Sequence, residues 1–335
     1  MPIPCSTQSD TSLKHVMNTD PLVAIVIPAY KPDFLRSTLE SIAAQTDRRF
    51  HVFIGDDASP HDIASIAAEF EGRLPLTYHR FADNLGSTDL VGQWHRCIGL
   101  TGDIPYIWLF SDDDVMGSEC IRDFLSLPKR VRDESVLRFS LRIIDAEGRH
   151  IEDAPSYPLR VTPAEYLKGK LEGGLTSYVV EFIFPRRVYD AVGGFENFDL
   201  AWGSDFMTWI KMANATANGI ITIGGPETFV AWRRSDLNIS PDVSHPVVVR
   251  KCRALIENAV FLQRFMKNHP EEFRSIGGAR FRWVRFPLGE LVRRRRILGY
   301  KDILRLSKEY SQKVGYPFIS FPIGFSVTIL KRLGK

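Results

Sequence analysis

Four short apolar runs limit what this chain can fold into. PLVAIVIPAY (21–30), FHVFIGDDASP (50–60), LTYHRF (76–81) and PYIWLF (105–110) have the β-branched and aromatic make-up of strands. Between them lie PDFLRSTLESIAAQT (32–46), DIASIAAEF (62–70) and a segment over roughly 88–100, all with helical spacing of apolar residues. Strand and helix alternating over short connections predict an α/β fold with a mostly parallel central sheet flanked by helices. Right-handed crossovers then leave a ligand crevice beyond the C-terminal ends of the strands.

After residue 130 the alternation fails. SVLRFSLRIIDAEGRHI predicts a β-hairpin turning at Glu147-Gly148, and SYVVEFIFP (177–185) predicts a further strand. YDAVGGFENFDLAWGSDFMTWIKMA predicts a helix, a loop and a second helix, and GIITIGG and ETFVAWRR are short strands. Helices fill most of the remainder. The expected organisation is a mobile N-terminal extension over 1–20, one α/β domain over 21–235, and a helical, basic C-terminal appendage over 236–335.

At 335 residues and 44% hydrophobic content the chain buries at least one substantial core. Its net charge of +3 is unevenly spread: residues 276–335 hold 14 basic against 3 acidic side chains, and the remainder holds 29 against 37. An acidic body with a basic end suggests charge directed at a partner. The cysteines (Cys5, Cys97, Cys120, Cys252) lack zinc or disulfide spacing and point to a reducing compartment. The first residues, MPIPCSTQSDTSLKH, lack the basic start and apolar core of a leader. Tyr316–Leu330 is the most apolar candidate for a membrane span, but it is short and carries two prolines.

Three polar clusters fall at predicted strand ends: Pro28-Ala29-Tyr30, Asp56-Asp57-Ala58-Ser59 and Asp112-Asp113-Asp114. Adjacent carboxylates repel by roughly 1 kcal/mol per pair in water and about 4 near a protein surface. The aspartate run is therefore either a solvated turn or a place where something positive sits. Asp56 and Asp57 could equally cap the next helix. Three such clusters converging on one crevice, all hard oxygen donors without His or Cys, suit Mn²⁺ or Mg²⁺ completed by substrate phosphates and water.

VAIVIPAYKPDFLRSTLESIAAQT, FHVFIGDDAS, DNLG, YIWLFSDDDVM and GGFENFDLAWGSD resemble, in order and spacing over roughly 21–235, the inverting family 2 glycosyltransferases of the GT-A fold. The resemblance implies sugar transfer from a nucleotide-diphosphate donor to the hydroxyl of a saccharide or lipid-linked saccharide acceptor. It implies that Pro28 and Tyr30 line the base pocket, that Asp57 accepts from the base N–H, and that Asp56 supports that loop. Asp112 then approaches the ribose, Asp113 binds the metal, and Asp114 ligates through water or orients its neighbour. Ser111 stands where relatives often carry an acid.

Asp205 matches the base that activates the acceptor hydroxyl. Ser204 is expected to cap its helix, and the first turn to lower the Asp205 pKa. The plainer alternative is that Asp205 only complements the helix dipole. Gly193-Gly194 would shape the acceptor loop, and Arg233 and Arg234 would close over the diphosphate unless they are simply surface charge. Trp202, Trp209 and Trp232 are acceptor-side or core, and His95 reads as structural.

The stretch ARFRWVRFPLGELVRRRRILGY (279–300) suits the surface of an anionic membrane and shows no nucleic-acid recognition motif. A cytoplasmic protein, peripheral at the inner face of the plasma membrane, is the expectation. Two other functions remain open: a nucleotidyltransferase, although PAYKPDF lacks its glycine-rich loop, and a non-catalytic nucleotide- or sugar-binding module. No G-x-G-x-x-G follows the first strand, which argues against a dinucleotide fold.

Overall fold

A computed structural model describes residues 20–237, 242–279, 287, 289–291 and 293–315. Its first half follows the expected alternation: β1 (Val23–Ala29), α1 (Leu35–Ala43), β2 (Phe50–Asp56), α2 (Ile63–Ala68), β3 (Leu76–Arg80), α3 (Leu90–Gly99) and β4 (Tyr106–Leu109). Then come β5 (Val115–Met116), α4 (Cys120–Ser126), α5 (Lys129–Asp133), β6 (Val136–Ile144) and β7 (His150–Asp153). β8 (Arg160–Val161), α6 (Pro163–Glu172), β9 (Phe182–Pro185), α7 (Arg186–Ala191), α8 (Ser204–Asn214), β10 (Ile220–Ile223) and β11 (Phe229–Arg233) complete the α/β body. Two longer helices follow, α9 (His245–Asn268) and α10 (Arg295–Val314), the latter interrupted at Gly299.

The strands run in the order β3-β2-β1-β4-β9-β6-β10-β8. β3, β2, β1 and β4 pair in parallel, and β9 lies antiparallel between β4 and β6. β6 is long enough to serve two partnerships: its first half pairs β10 and its second half pairs β11 and β7. The sheet is therefore mixed, with its parallel half where the β-branched runs predict it. Val23–Ile27 are fully buried because both sheet faces are covered. Side-chain alternation divides them, Ala24 and Val26 facing one core and Val23, Ile25 and Ile27 the other. α3, α6 and α8 cover the first face, and α1, α2 and α4 the second.

The predicted hairpin forms between β6 and β7. The predicted strand over 177–185 is shorter, because Val179–Glu181 turn as a 3₁₀ helix before β9 begins. The Trp108 indole N–H donates to Val180 O at 2.7 Å and its ring stacks on Phe139 at 4.6 Å, which fixes that turn against β4. α9 and α10 share a third core built from Val248, Cys252, Ile256, Leu298, Leu306 and Tyr310. Among the described residues no helix is long and apolar enough to cross a membrane. Residues 280–286, 288 and 292 of the basic, aromatic stretch, and all of Tyr316–Leu330, lie outside the described residues.

Candidate active site

A cleft of about 490 Å³ opens beyond the end of β4. Ser111, Asp112, Asp113 and Asp114 line it from that strand end, Pro28 and Lys31 from the end of β1, and Asp205, Phe206 and Met207 from the start of α8. The fold thus brings the aspartate run and Asp205 together although 91 positions separate Asp114 from Asp205 in sequence.

The three aspartates have different surroundings. Tyr30 N–H and Lys31 N–H donate to Asp112 Oδ2 at 2.9 and 3.0 Å, tying the loop after β1 to the end of β4. Burial and the adjacent Asp113 carboxylate push Asp112 up to about 6. Asp114 is 1% exposed and both its oxygens are taken: Ser111 Oγ–H donates to Oδ2 at 2.6 Å and Arg233 N–H to Oδ1 at 2.7 Å. Burial, then Asp113, holds Asp114 well above the carboxylate range. It anchors β11 and braces the corner beside Asp113. Burial also raises Asp113, against Ser111, Lys31 and Arg233, which lower it. Asp113 lines the cleft between these two neighbours.

Arg233 is a correction to the expected site. It is 3% exposed and spends its donors on Asp113 O (2.7 Å), Asp145 O (3.2 Å), Ala146 O (2.9 Å) and Ser37 Oγ (3.3 Å). It clamps the strand ends and does not face the cleft. Arg234 pairs with Glu152 at 2.8 Å on β7. Neither is placed to close over a diphosphate.

At the end of β2, outside the cleft lining, Asp56 is fully buried and supports its loop, accepting from Ser59 N–H (2.8 Å), Tyr78 OH (2.6 Å) and Arg80 (2.6 Å). Asp57, expected to bind a base N–H, instead accepts from Leu85 N–H and Gly86 N–H at 2.8 Å each and from Arg96. Its acceptors already hold the Asn84–Gly86 loop. Tyr30 is 39% exposed and does not line the cleft.

On the other side of the cleft, Gly203 rather than Ser204 is the N-cap of α8. Ser204 is fully buried, and its hydroxyl accepts from Phe198 N–H at 3.1 Å, bracing the loop from within. Burial raises Asp205, with Lys170 opposing; desolvation outweighs the helix start that was expected to lower it. Gly194 does not line the cleft. A Cβ there would lie 2.3 Å from His95 Cε1, and the ring itself bonds Tyr189 OH at 2.7 Å, so His95 is structural.

Trp202 lines the cleft but its ring carries Lys251 Nζ at 4.6 Å and Arg294 at 5.6 Å. Trp232 also lines it, stacked on Tyr178 at 4.4 Å, whereas Trp209 is core.

Five contributors escaped the sequence reading: Lys31, Lys170, Tyr178 and the α9 side chains Leu255 and Asn258, all lining the cleft. Asn258 Nδ2 donates to Trp202 O at 2.8 Å, and Arg250 pairs with Asp199 at 2.7 Å, so α9 holds the loop that precedes Asp205. That loop is strained, with positive φ at Leu200 (59°), Ala201 (51°) and Gly203 (84°). At Gly203 a Cβ would stand 2.7 Å from Asn258 Nδ2. Gly203→Ala is therefore expected to cost about 1–3 kcal/mol in urea unfolding, through the αL conformation and overpacking together.

Residues 24–137 match the model of glycosyl transferase family 2. An uncharacterized glycosyltransferase of Rickettsia conorii is 22% identical, over 80% of this chain and 45% of its own length. The chain thus spans less than half of that curated relative. S. aureus TarS (residues 1–349) in complex with UDP-GlcNAc superposes with a TM-score of 0.59 at 15% identity, covering 93% of this chain and 92% of TarS. The mannosyltransferase PcManGT of Pyrobaculum calidifontis, in complex with GDP-Man and Mn²⁺, superposes with a TM-score of 0.50 at 17% identity, covering 93% and 88%. With its parallel half-sheet and strand-end aspartates, the chain carries a glycosyl transferase family 2 match over residues 24–137 and has the GT-A fold of these solved structures.

Proposed function

We propose that this chain transfers a sugar from a nucleoside-diphosphate donor to an acceptor hydroxyl, with inversion at the anomeric carbon and dependence on a divalent cation. One observation carries this reading: Asp113 and Asp205 line a single cleft from different elements, one at the end of β4 and one at the start of α8. The two similar enzymes with bound UDP-GlcNAc and GDP-Man support the donor class.

Among the described residues no group of three His, Cys, Asp or Glu side chains is placed to hold a metal. In this reading a cation would be held by Asp113, with diphosphate oxygens and water completing its sphere, the habit of Mg²⁺ and Mn²⁺. Bound there, a divalent ion would neutralise charge on the departing diphosphate. Lys31, at the β1 end of the cleft, adds a fixed positive charge on the same side. Asp205 takes the proton from the acceptor hydroxyl.

Asp113→Ala is expected to lower metal-dependent release of nucleoside diphosphate by about 10²-fold or more, assayed across nucleotide sugars with Mn²⁺ or Mg²⁺. Wild-type turnover in that variant would remove Asp113 from the metal site. A saccharide or lipid-linked saccharide is the acceptor class this reading favours, and the arginine-rich stretch at 279–300 supports peripheral attachment at the cytoplasmic face of a membrane. The nucleotidyltransferase alternative gains no support, because PAYKP after β1 supplies no glycine-rich phosphate loop.

A further inference from the structure

Lys170 is a cation that the transfer reaction, as proposed, does not yet use. It sits near the C-terminal end of α6 and lines the cleft together with Asp205. Its ammonium is moored: Nζ donates to Ser177 Oγ at 3.0 Å, and Ser177 Oγ also meets Tyr166 OH at 2.9 Å. Nζ lies 5.2 Å from the ring of Phe206, the residue after Asp205, and that ring packs edge-on against Tyr166 at 5.5 Å. α6 and α8 are thereby locked with the ammonium beside the start of α8.

The other charges around Lys170 are already matched. Glu181, on the 3₁₀ turn before β9, is fully buried and pairs with Arg138 of β6 at 2.9 Å. The Arg138 guanidinium lies 3.7 Å from the Tyr157 ring centroid, and Tyr157 OH donates to Thr176 O at 2.7 Å. Among the described residues Asp205 and Glu181 are the anions acting on Lys170, Asp205 the more strongly, and Glu181 already pairs with Arg138. The electrostatics agree in direction: burial lowers Lys170 while Asp205 and Glu181 raise it, and Lys170 is the first influence lowering Asp205 against burial.

We propose that Lys170, moored by Ser177, is the positioning residue for Asp205, supplying the positive field that fixes this carboxylate where the acceptor hydroxyl arrives. The inference rests on the transferase reading for its purpose, but not for its test.

The test follows the Asp205 carboxyl carbon by NMR in protein labelled at the aspartate γ-carbon, the resonance being assigned by its loss in Asp205→Asn. Lys170→Gln, Lys170→Met and Lys170→Arg are titrated beside wild type, with thermal melts to establish folding. Removing the cation makes the carboxylate harder to ionise, so Asp205 titrates at higher pH. Where wild-type Asp205 is about one tenth protonated, the protonated fraction is expected to rise at least about threefold in Lys170→Gln and Lys170→Met, and to return toward wild type in Lys170→Arg. Lys170→Met guards against a folding failure of Lys170→Gln, since its unbranched side chain fills similar space.

In parallel, donor consumption is followed against pH with UDP-GlcNAc and GDP-Man as probes. The neutral variants should lose about ten times more activity at the acid end of the profile than at the alkaline end; a merely structural role would lower both ends alike. An unmoved Asp205 titration in folded Lys170→Gln or Lys170→Met overturns the proposal. Failure of wild type to consume either donor counts against the transferase reading for these donors, and the carboxyl titration still decides the role of Lys170.

Discussion

Asp205→Asn is expected to lower kcat by about 10²–10⁴ while leaving nucleoside-diphosphate affinity near wild type, measured by steady-state turnover and by calorimetry with the diphosphate. Asparagine keeps the shape and cannot take a proton. The split between turnover and affinity follows from placement: Asp205 enters the cleft from α8, whereas the proposed diphosphate contacts come from the ends of β1 and β4. The pH profile has a definite sign. A base must be ionised, so kcat rises with pH through the folded value of Asp205, which burial places above its ordinary 3.8. The acid limb of kcat should therefore be displaced upward from the ordinary aspartate value and vanish in Asp205→Asn. Unchanged kcat in the variant would take Asp205 out of the chemistry.

The strand-end aspartates divide labour in a way that follows from burial. Three adjacent carboxylates can persist because they are tied into the protein, Asp112 by backbone N–H groups of the β1 loop and Asp114 by Ser111 and the β11 backbone. Those bonds also set the geometry of the site, since they join β1, β4 and β11 at one corner. Arg233 completes that corner from beneath through four backbone or hydroxyl acceptors. The repulsion that makes the sequence look costly is thus relieved in part by hydrogen bonds within the protein.

The parallel half of the sheet was legible because each strand there is a local property. Val23–Ile27 are β-branched or small, buried on both faces, and bounded by turn residues, so the sequence pattern and the fold agree. The position of Asp112–Asp114 followed from the same rule, since ligand crevices form beyond parallel strand ends. What escaped depends on partners distant in sequence. The partners of Arg233 come from residues 37, 113, 145 and 146, and nothing local distinguishes it from a surface arginine. The raised Asp205 pKa reflects desolvation, whereas a helix-start argument sees only the favourable dipole. α9 was legible as a helix, but that its Asn258 would hold the Trp202 carbonyl was not. One signal was available: Glu181 interrupts the apolar run SYVVEFIFP, and a charge within such a run implies a buried partner.

That partner makes Glu181→Ala the variant with the largest expected loss of stability. Arg138 and Glu181 are 1% and 0% exposed and pair at 2.9 Å. Removing the carboxylate leaves a guanidinium buried against Tyr157 without its counter-charge, at a cost of about 3–5 kcal/mol in urea unfolding at pH 8. Arg138→Met combined with Glu181→Leu should recover much of that loss, because it removes both desolvated charges and fills the space. Burial pushes Glu181 up to about 7 from an ordinary 4.5, so the folded protein holds this proton more tightly than the unfolded chain. The contribution of Glu181 to stability is therefore greatest below pH 4.5 and falls as pH rises toward 7. The gap between wild type and Glu181→Ala should widen as pH is lowered from 7 to 4.5. A gap that stays constant across that window would show that Glu181 ionises in the fold as it does in the unfolded chain.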